Sequence, residues 1–176
     1  MKLPVFPNWY PYNEMLFDGR LDVGDFAVKT REWEWKYRGP VLFYTSSRVC
    51  KAVAKAYGYR QQPDEKKAII GIADLVDVRE LTEDEAEKMV CNFNNITRTQ
   101  WRQLLEKNEV TGTYWPFIAY GRFGLISPFH VGFFFKDKKK FSVPVPFNWA
   151  PGPVKPIFIE TSEHPQLSDQ MSLAGK

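Results

Sequence analysis

The chain has 176 residues, 44% of them hydrophobic and 26% charged, enough for one domain to bury a core without disulfides or metal. Its formal net charge is +3, from 24 basic and 21 acidic residues. That balance is too mild to mark a nucleic-acid binder and no obstacle to one, so any basic surface has to be a local patch. Two cysteines, Cys50 and Cys91, show no CxxC spacing, and His130 and His164 are the only histidines, so no metal or cofactor signature is present.

The N-terminus MKLPVFPNWYP carries prolines where a signal peptide needs an apolar run. No stretch approaches the roughly 20 apolar residues of a membrane span. These features predict a cytoplasmic or organellar protein with reduced thiols and no membrane partner.

Residues 1–10 read as extended. Pro11 opens a short helix over Tyr12 to Phe17, closed by Asp18-Gly19. Residues 20–26 read as a loop. Ala27 to Tyr37 alternates as a strand: Lys29, Arg31, Trp33 and Trp35 share one face, Thr30, Glu32, Glu34 and Lys36 the other. The parity predicts Trp33 and Trp35 inside and the two glutamates outside. Arg38-Gly39-Pro40 is a turn, and Val41 to Tyr44 a short apolar strand.

Thr45-Ser46-Ser47 offers an N-cap to a helix over Arg48 to Tyr57, which Gly58 stops. After a polar loop, Ala68 to Val78 is the clearest strand in the chain. Thr82 and Glu85 form a capping box for a helix running to Phe93, and a second helix spans Thr99 to Lys107. Then come predicted strands over Tyr114 to Tyr120, His130 to Phe135 and Phe141 to Val145. The last two flank Lys136 to Lys140 as a hairpin tip. Ile157 to Ile159 reads as a final short strand, and Thr161 to Lys176 as a loose polar tail after a single domain over 1–160. Short strands with interspersed helices predict an α+β fold built on a small, partly closed mixed β-barrel.

The segment AVKTREWEWKYRGPVLFYTSS, residues 27–47, resembles the ASCH family of the PUA-like superfamily. Lys29 and Glu32 match its Lys-x-x-Glu core, Arg38-Gly39 its Arg-Gly turn, and Val41 to Ser46 its apolar strand. IIGIADLVDVREL, residues 69–81, resembles the family's long central strand. The family's glycine two residues before the lysine is Ala27 here. The resemblance implies a PUA-like barrel that binds RNA or modified bases in a cleft. Some members act as ribonucleases or as hydrolases of acylated cytidine nucleosides, using a lysine with an acidic or hydroxyl group.

On the residues themselves, Lys29, Arg31 and Arg38 offer cations for phosphate, and Trp33 offers a stacking face, with Trp35 beside it. Glu32 offers an acceptor for a cytosine amino group, and Ser46 and Ser47 lie at the expected helix N-terminus, where backbone N–H groups favour an anion. The first expectation is an RNA- or nucleotide-binding cleft beside residues 29–38. The second is a small hydrolase with Lys29 and Glu32 catalytic. The third is a scaffold whose aromatic second half meets a protein partner. Lys29 and Glu32, three apart, face opposite ways in a regular strand, so a shared cleft requires a bulge.

Overall fold

A computed structural model describes residues 1–107, 131–149 and 155–175. The predicted strand over Tyr114 to Tyr120, and His130, lie outside the described residues. Seven strands form one mixed sheet: β1 (Lys2–Tyr10), β2 (Asp22–Val23), β3 (Phe26–Arg31), β4 (Gly39–Val49), β5 (Ala68–Glu80), β6 (Val131–Pro146) and β7 (Ile157–Glu160). Their order is β2-β3-β6-β5-β4-β1-β7, with β1 and β4 parallel and the other neighbours antiparallel. Among the described residues five α-helices accompany them: α1 (Tyr12–Phe17), α2 (Lys51–Tyr57), α3 (Glu83–Asn94), α4 (Arg98–Glu106) and α5 (Pro165–Ala174). The fold is therefore α+β, as the sequence pattern predicts. No helix among the described residues is long and apolar enough to cross a membrane.

The ladder is linear, not closed, yet the sheet rolls. β1 and β3, separated in the order by β6, β5 and β4, meet through side chains: Arg31 of β3 lies over the Phe6 ring of β1, 4.6 Å from its centroid. Strand alternation divides the core. Phe6, Val41, Phe43, Phe133 and Phe135 belong to the larger cluster inside the roll, which α1, α3 and α4 extend with Met15, Val90 and Trp101. Leu3, Val5, Leu42, Tyr44 and Ile69 form the second cluster, which α5 covers with Leu167.

Several expectations change. The strand predicted over Ala27 to Tyr37 ends at Arg31, which pairs with Val131, the first described residue of β6. Residues 32–38 stay extended without a ladder and keep the alternation: Trp33, Trp35 and Tyr37 are half-buried, while Glu32, Glu34, Lys36 and Arg38 are exposed. β4 runs past the predicted cap to Val49, since Thr45 pairs with Ala68 and Val49 with Tyr10, and α2 starts only at Lys51. Lys136 to Lys140 is no hairpin tip. It continues β6 along β5 through a register shift between Ile72 and Asp74, with Asp137 at φ 47°. Lys138 binds the Asp22 carboxylate at 2.6 Å and Lys140 binds Glu14, so the lysines tie β6 to β2 and α1. The tail is not loose either: Thr161 is buried, and α5 inserts Leu167, fully buried, against the sheet.

The capping box at Thr82 forms as predicted. Thr82 Oγ1 accepts the Glu85 N–H at 3.2 Å and Glu85 Oε2 accepts the Thr82 N–H at 3.0 Å. Arg79 adds a two-pronged contact to the same carboxylate at 2.6 and 2.8 Å, and this contact first, then the Thr82 amide, holds the Glu85 pKa down at about 2. A carboxyl lowered on folding stabilises above its unfolded value of 4.5 and loses that contribution as pH falls through about 2. The melting-temperature gap between the wild type and Glu85→Gln should therefore be widest above pH 4.5 and close towards pH 2; a gap independent of pH would show that the charge contributes nothing.

Candidate functional site

Lys29 and Arg31 are two apart on β3 and point to the same inner face, opposite Phe133 and Val131 of β6. Lys29 is only 4% exposed, with its Nζ 5.9 Å from the centroid of the Tyr12 ring on α1. Burial, and then the charge of Arg31, hold its pKa well below the ordinary lysine value. Arg31 is half-buried, and burial lowers it to about 10. Its Nη1 donates to the Thr30 carbonyl at 2.8 Å, and its Nη2 to Asn8 Oδ1 at 2.6 Å and more loosely to the Pro7 carbonyl at 3.5 Å. Its Nε is buried without a hydrogen-bond partner.

Among the described residues no carboxylate pairs with either cation or raises its pKa. Taking a charge out of water costs several kcal/mol after relaxation. Among the described residues that cost is offset by two aromatic faces, two carbonyls and a neutral amide. Such a seam favours an incoming anion, because each negative oxygen meets donors already desolvated and aimed.

Behind Arg31 runs a buried polar chain. Asn8 Nδ2 donates to Asn13 Oδ1 at 2.6 Å, and Asn13 Nδ2 donates to Thr45 Oγ1 at 3.0 Å. Asn13 and Thr45 are fully buried and Asn8 nearly so. One residue along α1, Glu14 is also buried. Burial pushes its carboxyl up against the pull of Lys140, and its Oε1 has no partner. Burial works against the Lys140 ammonium, but its hydrogen bond to Glu14 and the charges of Glu14 and Glu65 win, and its pKa rises.

The predicted site residues divide between the two faces. Lys29, Arg31 and Trp33 line the inside. Trp33 packs edge-on against Phe133 at 5.1 Å and lies 6.3 Å from Phe6, so much of its ring belongs to the core. Glu32 is exposed on the outer face, opposite Lys29, as strand parity requires, and no bulge within Phe26–Arg31 brings the two together. Arg38 is also outside and braces the extended segment: its Nη1 donates to the carbonyls of Trp35 and Tyr37, both at 2.8 Å. Ser46 and Ser47 lie in β4, not at a helix N-terminus, and Ser46 Oγ accepts the Arg48 N–H at 3.2 Å. The helix start expected there falls instead at Lys51.

Asn8, Asn13 and Thr45 were not expected at the site. A signal existed for the first two: each is a lone amide among apolar and aromatic residues in VFPNWYPYNEML, a pattern that buries polar groups. Thr45 reads as a cap from sequence because its burial depends on β1 and α1.

Fold and seam together describe an α+β protein whose rolled sheet carries two desolvated cations along its join. No family model matches the sequence, and a search of curated proteins gives no match. Among solved structures, the chain is similar to the ASCH protein of Zymomonas mobilis. The TM-score is 0.48 at 13% identity, over 94% of this chain and 93% of that one. A point mutant of the same protein gives a TM-score of 0.49 at 12% identity, over 96% of this chain and 98% of that one. Identity this low assigns no residue a role.

Proposed function

We propose that the seam binds RNA or a free nucleotide through a phosphate group, with Arg31 and Lys29 as its donors. One observation supports this most: a buried lysine and a half-buried arginine share one face of β3 with no carboxylate to pair with them among the described residues. Arg31 supplies a planar guanidinium with its Nε–H uncommitted, suited to two oxygens of one phosphate. Tyr12, Phe6 and the half-buried Trp33 set aromatic rings beside the two side chains.

The test is equilibrium binding of a short fluorescent single-stranded oligouridylate across a salt series, with Arg31→Met and Lys29→Met beside the wild type. The logarithm of the binding constant should fall linearly with log salt. Each variant should bind at least tenfold more weakly, since a charge-assisted hydrogen bond contributes about 1.5–3 kcal/mol. Wild-type affinity in Arg31→Met would overturn the proposal.

The depressed Lys29 amine favours a second reading. An amine held well below its ordinary pKa by burial gives up its proton more readily than a free lysine and so is better suited to accept one, as a hydrolase acting on an acylated cytidine requires. Glu32, exposed on the opposite face, does not share that face with Lys29, so the proton step would rest on Lys29. Turnover of N4-acetylcytidine that disappears in Lys29→Met would support this reading; absence of turnover in the wild type would reject it.

A further inference from the structure

We infer that Asn8, backed by Asn13 and Thr45, is a positioning residue that aims the Arg31 guanidinium into the seam while leaving its full charge for the ligand. This rests on the reading that Arg31 binds the phosphate. The polarity of the chain follows from its first member. A guanidinium only donates, so Asn8 must turn its Oδ1 to Arg31, as observed at 2.6 Å. Its Nδ2 then faces Asn13, which must show Oδ1, also at 2.6 Å. Asn13 is left with its Nδ2 for Thr45 Oγ1 at 3.0 Å. Each amide has one workable orientation, and each is fixed by the next.

The chain crosses four elements, β3, β1, α1 and β4, and joins β3 to β1 across the roll, although β6, β5 and β4 separate them in the sheet order. Its members are 7%, 0% and 0% exposed at Asn8, Asn13 and Thr45, so water does not compete for these bonds. The choice of amides decides what the chain can do. A carboxylate at position 8 would hold Arg31 more tightly, and it would cancel the charge that attracts an anion. A neutral amide holds the same Nη2 hydrogen and leaves the guanidinium a full cation with Nε unpartnered. Without Asn13, the buried Asn8 Nδ2 loses its acceptor, and the Asn8 amide, held at one end only, is free to turn away from Arg31.

The experiment uses the full chain, the oligouridylate probe and thermal melts. Asn8→Asp nearly keeps side-chain volume and the contact with Arg31. It should melt no lower than the wild type yet bind about tenfold more weakly, with a salt slope shallower by about 0.7, the loss of one phosphate contact on a single strand. Asn13→Leu should weaken binding similarly. Asn13→Asp, which still offers an oxygen to Asn8 Nδ2, should restore it to within about threefold of the wild type by that same polarity rule. Wild-type affinity and slope in Asn8→Asp would overturn the inference, whether or not Asn13→Leu folds. Arg31→Met separates the two levels. If it binds as the wild type does, the phosphate reading itself fails. If it loses binding while Asn8→Asp does not, only the positioning role fails.

Discussion

Replacing Phe6 by alanine should destabilise the protein by about 3–5 kcal/mol, the range for a fully buried phenylalanine in a packed core. Phe6 is 0% exposed and stands where the rolled sheet meets itself. Phe133 and Phe135 from β6 meet its ring edge-on at 5.6 and 6.1 Å, Phe43 from β4 lies at 6.1 Å, and Trp33 and Trp35 close over it at 6.3 and 6.5 Å. Rings from two strands and the segment after β3 cannot all collapse into the space it leaves, so a cavity term adds to the lost burial. For a chain of this size the melting temperature should fall by roughly 10 °C. The same ring carries the Arg31 guanidinium at 4.6 Å, so affinity for the oligouridylate should fall as well. Phe6→Leu refills much of the volume but offers no π face; it should recover stability more fully than binding. A loss below about 1 kcal/mol in Phe6→Ala would show that β1 does not pack into the roll as described.

The sequence was legible wherever structure depends on near neighbours. The helix after Pro11, the capping box from Thr82 to Glu85 and the stop at Gly58 each rest on contacts within a few residues, and the long strand from Ala68 is legible from its own unbroken apolar run although its ladders reach β4 and β6. The parity of residues 29–37 also survives, although β3 stops at Arg31, because an extended chain alternates with or without a ladder. The failures share one cause. Lys136 to Lys140 looks like a solvated tip because the partners of Lys138 and Lys140, Asp22 and Glu14, lie more than a hundred residues earlier. The C-terminal segment looks loose because the apolar surface under Leu167 is assembled from β1, β4, β5 and β6. The site divides in the same way. Lys29 and Arg31 are visible as cations on one face, but their burial needs β1 and α1, and Asn8, Asn13 and Thr45 become one chain only after three elements meet.

Gly71→Val should be the most disruptive single substitution in the sheet, and Gly71→Ala a milder version of it. Gly71 sits in the middle of β5, beside register shifts in the pairings with both β4 and β6. A Cβ there would lie 2.4 Å from Phe17 Cζ and 2.6 Å from the Lys139 carbonyl oxygen. The phenyl ring of Phe17 can turn aside, although it packs edge-on against Phe43 at 5.6 Å. The carbonyl cannot move alone, because it belongs to β6 at the point where Gly71 pairs with Lys140. Alanine should cost about 1–3 kcal/mol, the usual range for overpacking, and valine more, since its two methyls add to a contact already closed. The strain should also reach the site. Displacing β6 at Lys139 moves Lys140, which holds Glu14, the residue after Asn13 on α1. Gly71→Ala should therefore lower both the melting temperature and the amide-exchange protection of residues 69–73, and weaken oligouridylate binding by a smaller factor than Asn8→Asp does. A cost under about 0.5 kcal/mol, the size of an ordinary surface substitution, would mean that β5 and β6 do not approach this closely at Gly71.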